Sequence, residues 1–182
     1  DFHIEVELIA DIGLIGLPNA GKTSLLNELT RSQGKVGAYP FTTLEPALGD
    51  MYGYIIADIP GLIEGAAEGK GLGHKFLRHI RRTKILAHLI SLENEDIVAA
   101  YKTIRAELER FDKTLIEKKE IIILTKTDLE DTTSPRLAGL GPEKLKSSIT
   151  KIKKLNKNVH TVTVYDNDSI KVLGEKLIDI LK

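Results

Sequence analysis

The 182-residue chain has no cysteine. That excludes a disulfide framework, a thiol nucleophile and a thiolate metal site, and it fits a cytoplasmic setting. Excess charge is also missing: 26 Lys and Arg stand against 26 Asp and Glu. Bulk electrostatics therefore names no partner, and any nucleic-acid contact must come from a local patch. Long apolar runs are absent. The longest, residues 85–90 and 121–124, have strand length, far below the ~20 residues of a membrane span, and no secretory-leader pattern is visible. The first residue is Asp1 rather than Met, and an apolar pattern is under way by Ile4, as expected of a domain cut from a longer protein or of a cloning boundary. What is present is an ordinary globular balance, 42% hydrophobic and 29% charged residues, which argues against disorder and suffices for one domain with its own core.

Strand and helix signals alternate along the chain. Apolar strands are expected at 8–15, 47–50, 52–58, 85–92, 121–124 and 159–164, the second and third forming a hairpin that turns near 50–53. Helices are expected at 24–30, where Leu25, Leu26 and Leu29 share a stripe, at 74–83, and at 95–111, where Ile97, Tyr101, Ile104 and Leu108 do so. Two more are expected at 142–155 and 169–181. Residues 31–46, 60–73 and 131–141 read as loops, the second holding six glycines and prolines. The alternation predicts an α/β fold: a mainly parallel six-stranded sheet flanked by helices on both faces. Residues 1–182 make a single domain, with 1–7 as a linker or entering strand. Ligands of such sheets bind at the carboxyl ends of the strands.

Gly16-Leu17-Pro18-Asn19-Ala20-Gly21-Lys22-Thr23 matches G-x-x-x-x-G-K-[ST], with an apolar strand before it and a helix after. This is the signature of a P-loop NTPase. Glycines let several backbone N–H groups converge on an anion at a helix N-terminus. Lys22 supplies a point charge to the β- and γ-phosphates, the Thr23 hydroxyl ligates Mg²⁺, and Ser24 extends the nucleotide-binding set. The loop alone leaves GTPase, ATPase and small-molecule kinase open.

Asp58-Ile59-Pro60-Gly61 closes the apolar strand before the glycine-rich segment. By itself D-x-x-G also describes an ordinary strand-to-loop turn. In this position, Asp58 can reach Mg²⁺ through water and the Gly61 amide can sense a γ-phosphate. Phe41, Thr42 and Thr43 lie in the earlier loop, where a hydroxyl closing on Mg²⁺ and γ-phosphate would report which nucleotide is bound. The base is decided further on. Strand 121–124 runs into Thr125-Lys126-Thr127-Asp128, followed by Leu129. The Asp128 carboxylate can accept N1–H and the exocyclic amine of guanine, donors that adenine does not present in that arrangement. The Lys126 stem can cover the ring. The usual string is N-K-x-D; Thr125 in the Asn slot removes an amide, so weaker base binding is expected with guanine preference kept.

The strings Ala10-Asp11-Ile12-Gly13-Leu14, Gly16 to Thr23, Tyr39 to Pro46, Ala57-Asp58-Ile59-Pro60-Gly61-Leu62-Ile63-Glu64-Gly65-Ala66 and Glu68 to Ile80 resemble the Obg family of ribosome-associated GTPases, over its central GTPase domain only. The resemblance implies GTP and GDP as ligands, Mg²⁺ as cofactor, Thr43 with Thr23 as its protein ligands, and the large ribosomal subunit, RNA and protein, as partner of a monomeric cytoplasmic switch. It also implies a base-recognition loop of Ser-Ala-x type at Thr163-Val164-Tyr165, with the Val164 amide toward guanine O6.

Lys22, Thr43, Gly61 and Asn19 are the catalytic candidates. Many switch GTPases carry Gln after D-x-x-G to orient water; here the residue is Leu62, so slow intrinsic turnover is expected. Asn19 resembles the residue that helps hold K⁺ in potassium-activated GTPases, and it equally suits a tight turn. A nucleotide-sensing module with negligible hydrolysis therefore stands beside the GTPase reading. His74, Lys75, Arg78, His79, Arg81, Arg82 and Lys84 form a basic run behind the switch that suits RNA phosphates or a solvated helix face. The lysines at 144, 146, 151, 153, 154 and 157 read as ordinary surface, and His3, His88 and His160 lack metal-ligand spacing.

Overall fold

The computed structural model describes residues 10–30, 47–59, 81, 83–130 and 142–182. The loops expected at 31–46, 60–73 and 131–141, and the helix expected at 74–83 apart from Arg81 and Thr83, lie outside the described residues; Arg81 is helical and Thr83 is not.

Six strands form one sheet: β1 (Ile12–Gly16), β2 (Leu48–Met51), β3 (Tyr54–Asp58), β4 (Ile85–Ser91), β5 (Lys119–Thr125) and β6 (Val159–Val162). Their order is β2-β3-β1-β4-β5-β6. All neighbouring pairs are parallel except the β2–β3 hairpin, which turns through Tyr52 (φ 52°) and Gly53 (φ 86°). The helices are α1 (Lys22–Leu29), α2 (Ile97–Phe111), α3 (Lys113–Ile116), α4 (Pro142–Lys153) and α5 (Asn167–Leu181), and a 3₁₀ turn covers Thr127–Glu130.

β1 and β4 are buried at every position, as a sheet covered on both faces requires. Side chains alternate between two cores. Ile12 and Leu14, with Ala87, Leu89, Ile121 and Ile123, pack under Leu25, Leu26 and Leu29 of α1 and under Ile170, Leu173 and Leu177 of α5. Ile15, Leu86, Ile90, Ile122 and Leu124 face Ile97, Ile104 and Leu108 of α2, Leu115 of α3 and Ile152 of α4. Each fully buried Leu or Ile among these contributes roughly 1.5–3 kcal/mol.

Several boundaries differ from the sequence expectation for identifiable reasons. The first helix starts at Lys22 rather than 24, because Gly21 takes the left-handed conformation that opens it. The helix expected from 95 starts at Ile97, since the Asp96 carboxylate accepts from the Val98 and Ala99 amides. Asp166 does the same for Asp168, which moves the start of α5 from 169 to Asn167. Asp112 ends α2 and caps the short α3 through the Thr114 amide at 2.9 Å; nothing in the apolar periodicity announces α3. β5 is longer than 121–124, because backbone pairing with β4 runs from Ile85↔Lys119 to Ser91↔Thr125. β6 stops at Val162 rather than 164.

One polar group sits inside the second core. His88 of β4 is fully buried; its Nδ1 lies 2.9 Å from Glu120 Oε1 of β5, and its ring stacks on Tyr101 of α2 at 5.2 Å. Glu120 Oε2 accepts from the Tyr101 hydroxyl at 3.1 Å and lies 3.5 Å from Arg105. Burial lowers the His88 pKa against the opposing pull of Glu120. Burial alone would raise that of Glu120, but His88, Arg105 and Tyr101 hold it below the usual carboxylate value. Among the described residues no helix is long and apolar enough to cross a membrane.

Candidate functional site

The carboxyl ends of β1, β3, β5 and β6 bring the motif residues to one rim of the sheet. β1 ends at Gly16, where an added Cβ would lie 2.4 Å from the Leu89 carbonyl oxygen, so only glycine lets the loop leave the strand so close to β4. The loop folds back through Ala20 N–H to the Leu17 carbonyl at 3.2 Å, with Asn19 in the left-handed region at φ 62°. Gly21 (φ 87°) leads into α1 without a side-chain cap. The first-turn amides of α1 are thus left to an anionic guest. Leu17 is half-buried, Pro18, Asn19 and Ser24 are exposed and Ala20 is buried.

Lys22 opens α1 and donates from Nζ to the carbonyls of Gly16 at 3.1 Å and Leu17 at 3.3 Å. Burial lowers its pKa below the ordinary lysine value, with the Asp58 charge partly offsetting this. The Thr23 hydroxyl donates to Asp58 Oδ2 at 2.5 Å, across from α1 to the end of β3. A hydroxyl that gives its proton to a carboxylate keeps its lone pairs for a cation. Asp58 Oδ1 is buried with no hydrogen-bond partner among the described residues, a hard oxygen donor of the kind Mg²⁺ takes. Ile59 is buried and its amide donates to the Leu14 carbonyl at 3.1 Å, which fixes where the chain leaves β3. The described residues hold no group of three or more His, Asp or Glu that would bind a metal unaided. A cation here would thus draw further ligands from phosphate and water.

At the other end of the rim, Thr125 closes β5. Its buried hydroxyl donates to the Ala20 carbonyl of the phosphate loop at 2.8 Å. Lys126 takes a left-handed conformation, φ 60°, a strain of about 1–2 kcal/mol for a non-glycine residue, and its ammonium pairs with Glu93 in the turn after β4. Leu129 lies in the 3₁₀ turn. Asp128 Oδ1 accepts from the Thr163 hydroxyl at 2.5 Å, so the loop after β6 meets the carboxylate. Val164 is half-buried and Tyr165 exposed.

The structure thus brings together the phosphate loop, Asp58, Thr125, Lys126, Asp128 and Thr163. Phe41, Thr42, Thr43, Pro60 and Gly61 lie outside the described residues. Glu93 and Ser169, which touch these residues, escape sequence reasoning because neither stands in a motif. Of the basic run near residue 80, Arg81 pairs with Asp112 and Lys84 with Asp11, the latter at 2.9 Å, so these two are engaged within the fold. Lys146, Lys151, Lys153, Lys154 and Lys157 are exposed, as ordinary surface is.

Fold and rim define a P-loop nucleotide-binding domain of the GTPase class. A family model described as 50S ribosome-binding GTPase matches residues 11–126. GTPase Obg of Brachyspira hyodysenteriae is 49% identical over 165 residues, 88% of this chain and 24% of that protein. GTPase Obg of Rickettsia prowazekii is 42% identical over 185 residues, covering 99% and 53%. The chain belongs to the 50S ribosome-binding GTPase family, and within it to the Obg GTPases. It spans about a quarter to a half of the length of these curated relatives. The fold alone is shared with the G domain of the T. maritima FeoB iron transporter (TM-score 0.60, 20% identity, 96% of this chain and 100% of that one). It is shared also with an S. thermophilus NFeoB mutant bound to GDP (TM-score 0.65, 20% identity, 93% and 61%).

Proposed function

We propose that the chain is a GTP-hydrolysing switch domain that cycles between GTP and GDP states with Mg²⁺ and serves assembly of the large ribosomal subunit, as a cytoplasmic monomer. The observation that carries this reading is the bond from Thr125 to Ala20. It ties the base-reading strand end to the phosphate loop, so one guanine nucleotide can be gripped at both ends. Asp128 receives the guanine edge and the Val164 amide its O6. Lys22, with the amides of the loop, receives the phosphates.

Thr23 and Asp58, with Thr43 from the loop outside the described residues, would hold Mg²⁺, which neutralises phosphate charge when bound. The Gly61 amide senses the γ-phosphate. With Leu62 in place of a water-orienting Gln, turnover is slow; Asn19 would help hold K⁺, which would supply beside the phosphates part of the positive charge that an arginine finger brings. Leu62 is also the observation that favours the second reading, a nucleotide-sensing module with negligible hydrolysis.

The test is affinity for GDP, GTP and ATP in K⁺ buffer, for the chain and for Asp128→Asn, together with single-turnover phosphate release in K⁺ and in Na⁺, with and without large ribosomal subunits. Guanine preference lost in Asp128→Asn, and release faster in K⁺ and with subunits, are the expected results. Equal affinity for GTP and ATP would sink the base assignment, equal rates in K⁺ and Na⁺ the cation role, and no release under any condition leaves the sensing module.

A further inference from the structure

Asp128 does not hold its own position. Its Oδ1 accepts the Thr163 hydroxyl at 2.5 Å, and the same hydroxyl oxygen lies 3.4 Å from the Tyr165 amide that donates to it. The polarity of that chain is fixed: Tyr165 N–H gives to Thr163, and Thr163 O–H gives to Asp128. Thr163 is held in turn by Ser169, three residues into the cap and first turn of α5. The Thr163 amide donates to Ser169 Oγ at 3.1 Å, and Ser169 Oγ lies 3.3 Å from the Thr163 carbonyl it donates to. One hydroxyl thus meets both main-chain polar groups of a residue that stands just past the end of β6 and has left the sheet ladder.

We infer that Ser169 is a positioning residue for base selection, acting through Thr163 on the plane of the Asp128 carboxylate. This rests on the reading that Asp128 receives the guanine edge. Guanine offers the carboxylate two donors, N1–H and the exocyclic amine, and both bonds need the two oxygens in one plane with the base. Hypoxanthine offers N1–H alone and tolerates a carboxylate that swings. Ser169 is half-buried at the first turn of a helix whose apolar face is anchored by Ile170, Leu173 and Leu177. The rigidity of α5 is thereby passed to the loop that carries Thr163.

The experiment measures affinities for GDP, IDP and ADP by calorimetry with the chain, Ser169→Ala, Ser169→Thr and Thr163→Val, alongside thermal melts. In Ser169→Ala the GDP-over-IDP preference falls about fivefold, the scale of one hydrogen bond, while IDP affinity holds and the melts show a folded variant. Ser169→Thr, which keeps the hydroxyl, retains the preference, and Thr163→Val loses it from the other side. Equal losses of GDP and IDP in Ser169→Ala mark a merely structural brace and overturn the inference. So does a full preference in Thr163→Val, or a Ser169→Thr that fails as the alanine does. A wild-type chain that binds ADP as well as GDP overturns the base assignment itself, and this inference with it; a guanine-selective wild type with an unchanged Ser169→Ala ratio removes the inference alone.

Discussion

Thr125 stands where the related pattern has Asn, and by its residue type alone it reads as a loss. In the fold its hydroxyl braces one loop against another, at 2.8 Å from the Ala20 carbonyl. Thr125→Val keeps the shape and removes the donor that reaches the Ala20 carbonyl. It should lower stability by about 1–2 kcal/mol and weaken GDP binding, whereas Thr125→Ser keeps most of both; urea unfolding and calorimetry check this. At this scale the phosphate loop, Asp58 and Asp128 are legible in the sequence, because the chemistry demands those residue types in contiguous strings. Thr163 is reached only through a family register, and it is the residue that meets Asp128. Ser169 and Glu93 are illegible: Glu93 meets Lys126 only once the sheet has aligned the ends of β4 and β5, and Ser169 turns back six residues onto the main chain of Thr163, a contact that no motif prescribes.

The elements follow from periodicity, with ends that shift wherever a side chain overrides it. Asp96, Asp112 and Asp166 move helix boundaries by local hydrogen bonds, and β5 gains Lys119 and Glu120 because backbone pairing does not depend on apolar side chains. Contacts between elements are less visible still. β2 crosses the end of α1 so closely that a Cβ on Gly49 would lie 2.3 Å from Thr30 Cγ2 and 2.8 Å from its Oγ1. That hydroxyl is itself committed to the Leu26 carbonyl at 2.7 Å, so Thr30 cannot yield easily. Gly49→Ala should therefore cost about 1–3 kcal/mol by overpacking. Gly49→Ala combined with Thr30→Ala should cost less than the sum of the two single changes; denaturant titration of the four proteins reads the coupling.

For the molecule as a whole, the His88 group sets a pH dependence that no local string announces, since His88 and Glu120 meet only through the β4–β5 register. The folded His88 pKa is depressed, chiefly by burial. Its unfolded counterpart, near 6.5, takes up protons first, so stability present above about pH 6.5 declines as the pH falls below it. Glu120, also depressed, adds a loss in the same direction at lower pH, below the usual carboxylate value. Glu107 opposes them: burial raises it to about 7, and its contribution fades as the pH rises toward that value. Tyr101, pushed up to about 12 chiefly by burial, keeps its proton across the range. The difference between the chain and His88→Gln, which can still donate to Glu120, cancels the Glu107 effect. The variant-minus-parent difference in denaturation midpoint should be more favourable to the variant at pH 5.5 than at pH 7.5; a difference that does not change with pH would rule out His88 as the source.

The sheet also tapers. Its outermost strands, β2 and β6, have four residues each, while the inner β4 and β5 have seven. Among the described residues, a neighbouring molecule that tried to add itself as a further strand would find only a short ladder of amides and carbonyls at either side, with too few rungs to hold. Narrow flanks of this kind offer little template for edge-to-edge association in a chain whose balanced charge supplies no self-repulsion.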